Sequence, residues 1–138
     1  MSITGIALLG YVSWFLILLL TIEVFRTYIV LKTGRAANTF LPDGSDVSPF
    51  MNRLSRAHAN CYESFPFIGG ILLYAIASGT TEMTNSLALW LVGARLVQSA
   101  IHLISSAPTL AQIRFLFFIT QVVISIYWVF GYILGACV

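Results

Sequence analysis

Charge is what this chain has least of. Only 9% of its 138 residues are Asp, Glu, Lys or Arg, against roughly 25% in soluble domains. The formal net charge of +2 does not point to nucleic acid, because the basic residues are interleaved with apolar spans rather than gathered on a soluble face. Cysteine is scarce too. Cys61 and Cys137 follow no metal or redox spacing. They read as inert thiols, Cys61 packed inside a helix and Cys137 at the chain end, and no metal site is expected. Polar linkers, low-complexity tracts and internal repeats are missing, which leaves one domain over residues 1–138. The N-terminus has no basic stretch ahead of its apolar run, and that run is too long for a cleavable signal peptide.

What the chain does have is apolar length. Hydrophobic residues make up 59% of it. Ile3 to Ile22 carries no charge, and about 20 such residues span a bilayer core. Interrupted apolar stretches follow at Tyr62–Ser78, Ser86–Ile104 and Phe115–Ala136. The expected fold is all-α and integral to the membrane, a bundle of four transmembrane helices. Helix 1 should run to about Thr33 and stop at Gly34. Arg35 to Val47, with Pro42-Asp43-Gly44, reads as a polar loop. Ser48-Pro49 should start helix 2 as cap and first helical residue, with Pro66 inside it. Thr84 or Asn85 would cap helix 3. Thr109-Leu-Ala-Gln112, after Pro108, fits a capping box opening helix 4. Glu23 and Arg26 are placed to pair within helix 1.

The basic residues Arg26, Lys32, Arg35, Arg53, Arg56, Arg95 and Arg114 flank or lead to the 1–2 and 3–4 connections. The turn from Gly79 to Asn85 has neither Lys nor Arg. The positive-inside bias puts both connections in the cytosol and both termini outside. Trp14, Trp90, Tyr127, Trp128 and Tyr132 read as lipid-facing or interfacial anchors.

Two polar sets interrupt the apolar spans. Arg56, Asn60 and Glu63 fall on one stripe of helix 2, at about 100° per residue. Arg53 extends the stripe toward the cytosol. Arg95, Gln98 and His102 form a matching stripe on helix 3. Antiparallel helices joined near Gly79 would bring Arg56 level with His102, Asn60 with Gln98 and Glu63 with Arg95. Polar groups at membrane depth are costly and point to a functional site. The plainer reading is a structural Glu63–Arg95 ion pair with Asn60 and Gln98 as interhelical hydrogen-bonding groups. Against it, Arg53, Arg56, Arg95 and Arg114 outnumber Glu63, the acid near them. That excess suits a small anionic or zwitterionic ligand, since the guanidinium fork matches carboxylates. Glutathione, with two carboxylates, one ammonium and a thiol, fits the description.

The run Arg56-Ala-His-Ala-Asn60-Cys-Tyr-Glu63, followed by Pro66, resembles the signature of the membrane-associated proteins in eicosanoid and glutathione metabolism (MAPEG). The resemblance covers nearly the whole chain. It implies a homotrimer that binds glutathione near subunit interfaces. It implies glutathione contacts from Arg56, Asn60 and Glu63, and matches Arg95 to a helix 3 arginine of several members. It gives Arg114 the part of the helix 4 arginine that stabilises the thiolate. Arg53, Gln98 and His102 join the expected glutathione site, and Arg35 and His58 are candidate contacts to a neighbouring subunit's site. His102 stands where eicosanoid-processing members carry tyrosine, which weighs against eicosanoid chemistry. Phe115, Phe117 and Phe118 offer either an apolar acceptor groove or a lipid contact.

The leading expectation is a glutathione transferase, with possible peroxidase activity, joining cytosolic thiol to a lipophilic electrophile in the bilayer. It would sit in a bacterial inner membrane or the endoplasmic reticulum. A non-catalytic member binding a lipid or protein partner is the alternative. A four-helix cation exporter ranks last, because it would not surround its acid with arginines.

Overall fold

The computed structural model describes residues 1–135 and contains four long helices. They are α1 (Ile3–Thr33), α2 (Pro49–Ala77), α3 (Glu82–Ile104) and α4 (Pro108–Gly135). Ala136, expected in the fourth span, and Cys137 lie outside the described residues. Helices α1, α3 and α4 are each long and apolar enough to cross a membrane. α2 falls short of that apolarity because it carries the polar stripe, although its 29 residues span about 43 Å at 1.5 Å per residue.

Local capping chemistry sets several boundaries. Ser2 Oγ accepts from the Gly5 amide at the start of α1. Gly34 ends that helix at φ 69°, its amide on the Val30 carbonyl, the left-handed stop that glycine adopts without strain. Ser48 Oγ accepts from the Met51 amide, and Pro49 opens α2, as the sequence led one to expect. A short 3-10 turn over Ala37–Thr39 lies in the connecting loop.

Two caps differ from expectation. α3 begins at Glu82, so Thr84 and Asn85 lie inside its first turn. Their side chains serve α1 instead. Asn85 Oδ1 accepts from the Thr4 amide at 3.0 Å and from its hydroxyl at 2.8 Å, and Thr84 and Thr4 hydroxyls lie 2.6 Å apart. Asn85 thus satisfies an orphan N–H of a distant helix start. α4 begins at Pro108, with the Ala107 carbonyl accepting from Ala111. Proline suits the first helical position, so Thr109 to Gln112 sits two positions too deep to form the expected box.

α3 is the hub and packs against the other three helices, α2 touches all of its companions, and α1 and α4 flank them on separate sides. The Thr4 cluster and the Tyr132 hydroxyl, which donates to the Thr80 carbonyl, hold one end. The α1–α2 and α3–α4 connections share the other. Tyr11 donates to the Cys61 carbonyl at 3.0 Å and meets Ser64 Oγ at 2.9 Å, which ties α1 to α2. Cys61 is fully buried, as expected. Trp90 and Tyr127 face outward. Trp128 does not: it is 0% exposed and belongs to the core with Ala88 and Leu91. The anchor reading of Trp128 is therefore corrected.

The loop between α1 and α2 is lashed to itself. Arg35 pairs with Asp46 and donates to Thr39, and its guanidinium lies 4.1 Å from the Phe40 ring centroid. Arg26 reaches the Leu41 carbonyl and pairs with Glu23 at 3.4 Å. Gly44 sits at φ 67°, where an added Cβ would meet the Met51 carbonyl at 2.8 Å. Partial desolvation raises the Asp46 carboxyl, but the Arg35 hydrogen bond and backbone amides outweigh it, leaving it below its ordinary value of 3.8. A depressed carboxylate contributes order above its unfolded pKa and loses it as pH falls through the folded one. The lash should therefore hold at neutral pH and loosen below about pH 3.8. Limited proteolysis across that range should show faster cleavage between residues 35 and 47 on the acid side. In Arg35→Ala the fast cleavage should already be present at pH 7.

Candidate functional site

The polar stripes meet, though not rung by rung. Arg56, Asn60 and Glu63 from α2, Gln98 and His102 from α3, and Arg114 from α4 line one open pocket of about 320 Å³. Ala111, Phe115 and Phe118 complete its α4 wall. The volume is at the low end of small-molecule sites, which run about 300–1,000 Å³. Arg56 and Glu63 are exposed, Asn60 and Arg114 are half-buried, and Gln98 and His102 are buried.

The pairings differ from the expected ladder. Asn60 Nδ2 meets His102 Nδ1 at 3.1 Å, so Asn60 belongs to His102 rather than Gln98. With the amide donating, that histidine nitrogen accepts and the ring is neutral, which leaves Nε2–H as its donor. Gln98 instead accepts from Gln121 Nε2 of α4 at 2.9 Å. Arg95 and Glu63 do not meet: among the described residues the ion pairs are Arg26–Glu23 and Arg35–Asp46. Arg95 turns inward, 1% exposed. It donates to the Asn60 carbonyl at 3.3 Å and lies over the Tyr11 ring at 5.8 Å. Glu63 keeps its side chain exposed on the open side of the pocket. The structural ion pair is thus replaced by an acid free to meet a ligand.

Three further expected residues fall outside the pocket wall. Arg53 Nε donates to the Leu103 carbonyl at 2.9 Å, satisfying an orphan carbonyl at the end of α3. Arg35 is engaged in its own loop. His58 stacks on Phe15 of α1 with ring centroids 4.6 Å apart. It faces away from this pocket, as its angle from Arg56 implied.

Sequence reasoning passed over Gln121. It is 0% exposed and ties Gln98 to α4. The available signal was a lone amide in an otherwise apolar span.

Beside the polar pocket runs an apolar one of about the same volume, 320 Å³, between α2 and α4. Phe67, Ile71, Val122, Ile126 and Phe130 line it, and Phe118 lines both. Phe117 lies elsewhere, in a groove with Trp90 and Val97. The arrangement offers guanidinium and amide donors for an anionic, water-soluble molecule, a carboxylate for its ammonium, and an adjoining surface for an apolar one.

Among comparisons with known proteins, the model of the MAPEG family matches residues 5–134. No curated protein and no solved structure matches the chain.

Proposed function

The chain belongs to the MAPEG family of membrane proteins, which includes glutathione transferases among other members, and from that premise we propose that it is a glutathione transferase acting on lipophilic electrophiles. The observation that carries the reading is the convergence of Arg56, Asn60, Glu63, Gln98, His102 and Arg114 on one pocket that shares Phe118 with an apolar groove.

In this reading the donors of Arg56, Gln98 and His102 take the glutathione carboxylates, and Glu63 takes the ammonium. Arg114 stabilises the thiolate. A thiol of pKa about 8.5 is mostly protonated at neutral pH, and a nearby cation raises the reactive fraction. The thiol proton passes to water. The sulfur then attacks the electrophilic carbon of an acceptor lying along Phe118, forming the C–S bond as the leaving group departs with its electron pair.

A homotrimer belongs to the same proposal. Arg56 and Glu63 stand exposed on α2, the helix least suited to face lipid. Charges there are costly against hydrocarbon, and a neighbouring copy covering that face would remove the cost and close the open side of the pocket. The basic connections would face the cytosol, where glutathione is met, with both termini on the other side.

Adding glutathione to the detergent-purified protein should produce thiolate absorbance and support conjugation of an aromatic halide. Binding without thiolate or turnover on any electrophile would instead establish a binding protein.

A further inference from the structure

Gln121 lies behind the pocket wall, fully buried on α4, and does not line the pocket. Its Nε2 lies 2.8 Å from the Phe117 carbonyl and 2.9 Å from Gln98 Oε1. A backbone carbonyl can only accept, so the Gln121 atom facing it must be the amide nitrogen. That nitrogen has two protons, and the second points at Gln98. The Gln98 atom facing it must then be the oxygen. The orientation of both amides follows from one unambiguous carbonyl, without choosing between their two possible flips.

The consequence falls on the pocket. With its oxygen engaged, Gln98 turns its NH2 toward the ligand side, and that NH2 has no hydrogen-bond partner among the described residues. We propose that Gln121 is a positioning residue that fixes Gln98 as a hydrogen-bond donor to a glutathione carboxylate, an inference that rests on the glutathione reading above. Without Gln121 the Gln98 amide could rotate and present its oxygen to the anion, replacing attraction with repulsion. The Gln121 side chain also touches the backbone one turn below Gln121 itself, so the relay is anchored to α4, the helix that carries Arg114.

Three variants and one spectroscopic measurement test this. Gln121→Met keeps the volume and removes both hydrogen bonds. It should raise the glutathione Kd about five- to tenfold, the scale of one ordinary net hydrogen bond, with thermal stability checked alongside. In Gln98→Ala the partner is gone, so adding Gln121→Met should change Kd less than twofold. Full additivity in that cycle would mean a merely structural role and would overturn the proposal.

Side-chain amide exchange in the unsubstituted protein separates this inference from the glutathione reading. The Gln121 NH2 should exchange slowly with or without ligand. The Gln98 NH2 should exchange quickly and become protected when glutathione is added. Fast exchange at Gln121 overturns the positioning role. Slow exchange at Gln121 with no glutathione effect at Gln98 retains the fixed amide pair and overturns the glutathione assignment alone.

Discussion

Arg114→Ala is expected to lower the rate of glutathione conjugation about 100-fold, the scale on which removing one preorganised donor from a developing or held anion acts. Glutathione binding should weaken less than tenfold, because Arg56, Glu63, Gln98 and His102 remain in the same pocket. The pH profile separates this role from a general loss of packing. If Arg114 stabilises the thiolate, the alanine variant should regain rate as pH approaches the ordinary thiol pKa of about 8.5, while the parent protein changes little over that interval. Arg114→Lys should recover part of the rate, since it keeps the charge but loses the planar fork. A deficit of constant size at every pH, or equal turnover by the alanine variant, would remove Arg114 from the chemistry.

The site was legible in the sequence at the level of helices and stripes, and less so at the level of partners. Gly34 and Ser48-Pro49 could be read because a cap depends on a few neighbouring residues. Asn85 could not, because the group that claims its side chain is the Thr4 amide, far away in sequence. The polar stripes predicted which faces of α2 and α3 would meet, and Arg53–Leu103, Asn60–His102 and Cys61–Ser99 contacts scatter around the expected register. Spacing alone did not say which flank of a stripe each side chain would take. Positions three and four apart on a helix differ by tens of degrees around its axis, enough to send Arg95 inward to Tyr11 and Gln98 sideways to α4. Gln121 completes that sideways turn, and its significance appears only once α4 is seen against α3.

Trp128 shows the same limit and gives the largest expected effect on stability. In sequence it sits within an apolar span beside Tyr127, and either residue could face lipid. The helix turn puts Tyr127 outside at 61% exposure and Trp128 inside at 0%. Trp128→Ala should cost about 3 kcal/mol, the lower end for deleting a buried large aromatic. The lower end applies because lipid solvates apolar surface nearly as well as the core does, so the transfer contribution is small. What remains is the cavity and the lost contacts against the core that includes Ala88 and Leu91. The indole N–H has no hydrogen-bond partner among the described residues, so its removal forfeits no hydrogen bond. Trp128→Phe should therefore recover most of the loss, and Tyr127→Ala should change stability by less than about 0.5 kcal/mol. Unfolding of the detergent-solubilised protein by denaturant or heat can rank the three variants. If Trp128→Ala unfolds like Tyr127→Ala, α4 is rotated relative to α3 so that Trp128 no longer faces the core. The Gln98–Gln121 hydrogen bond, two turns of α4 away on the same side of the helix, would then be lost with it.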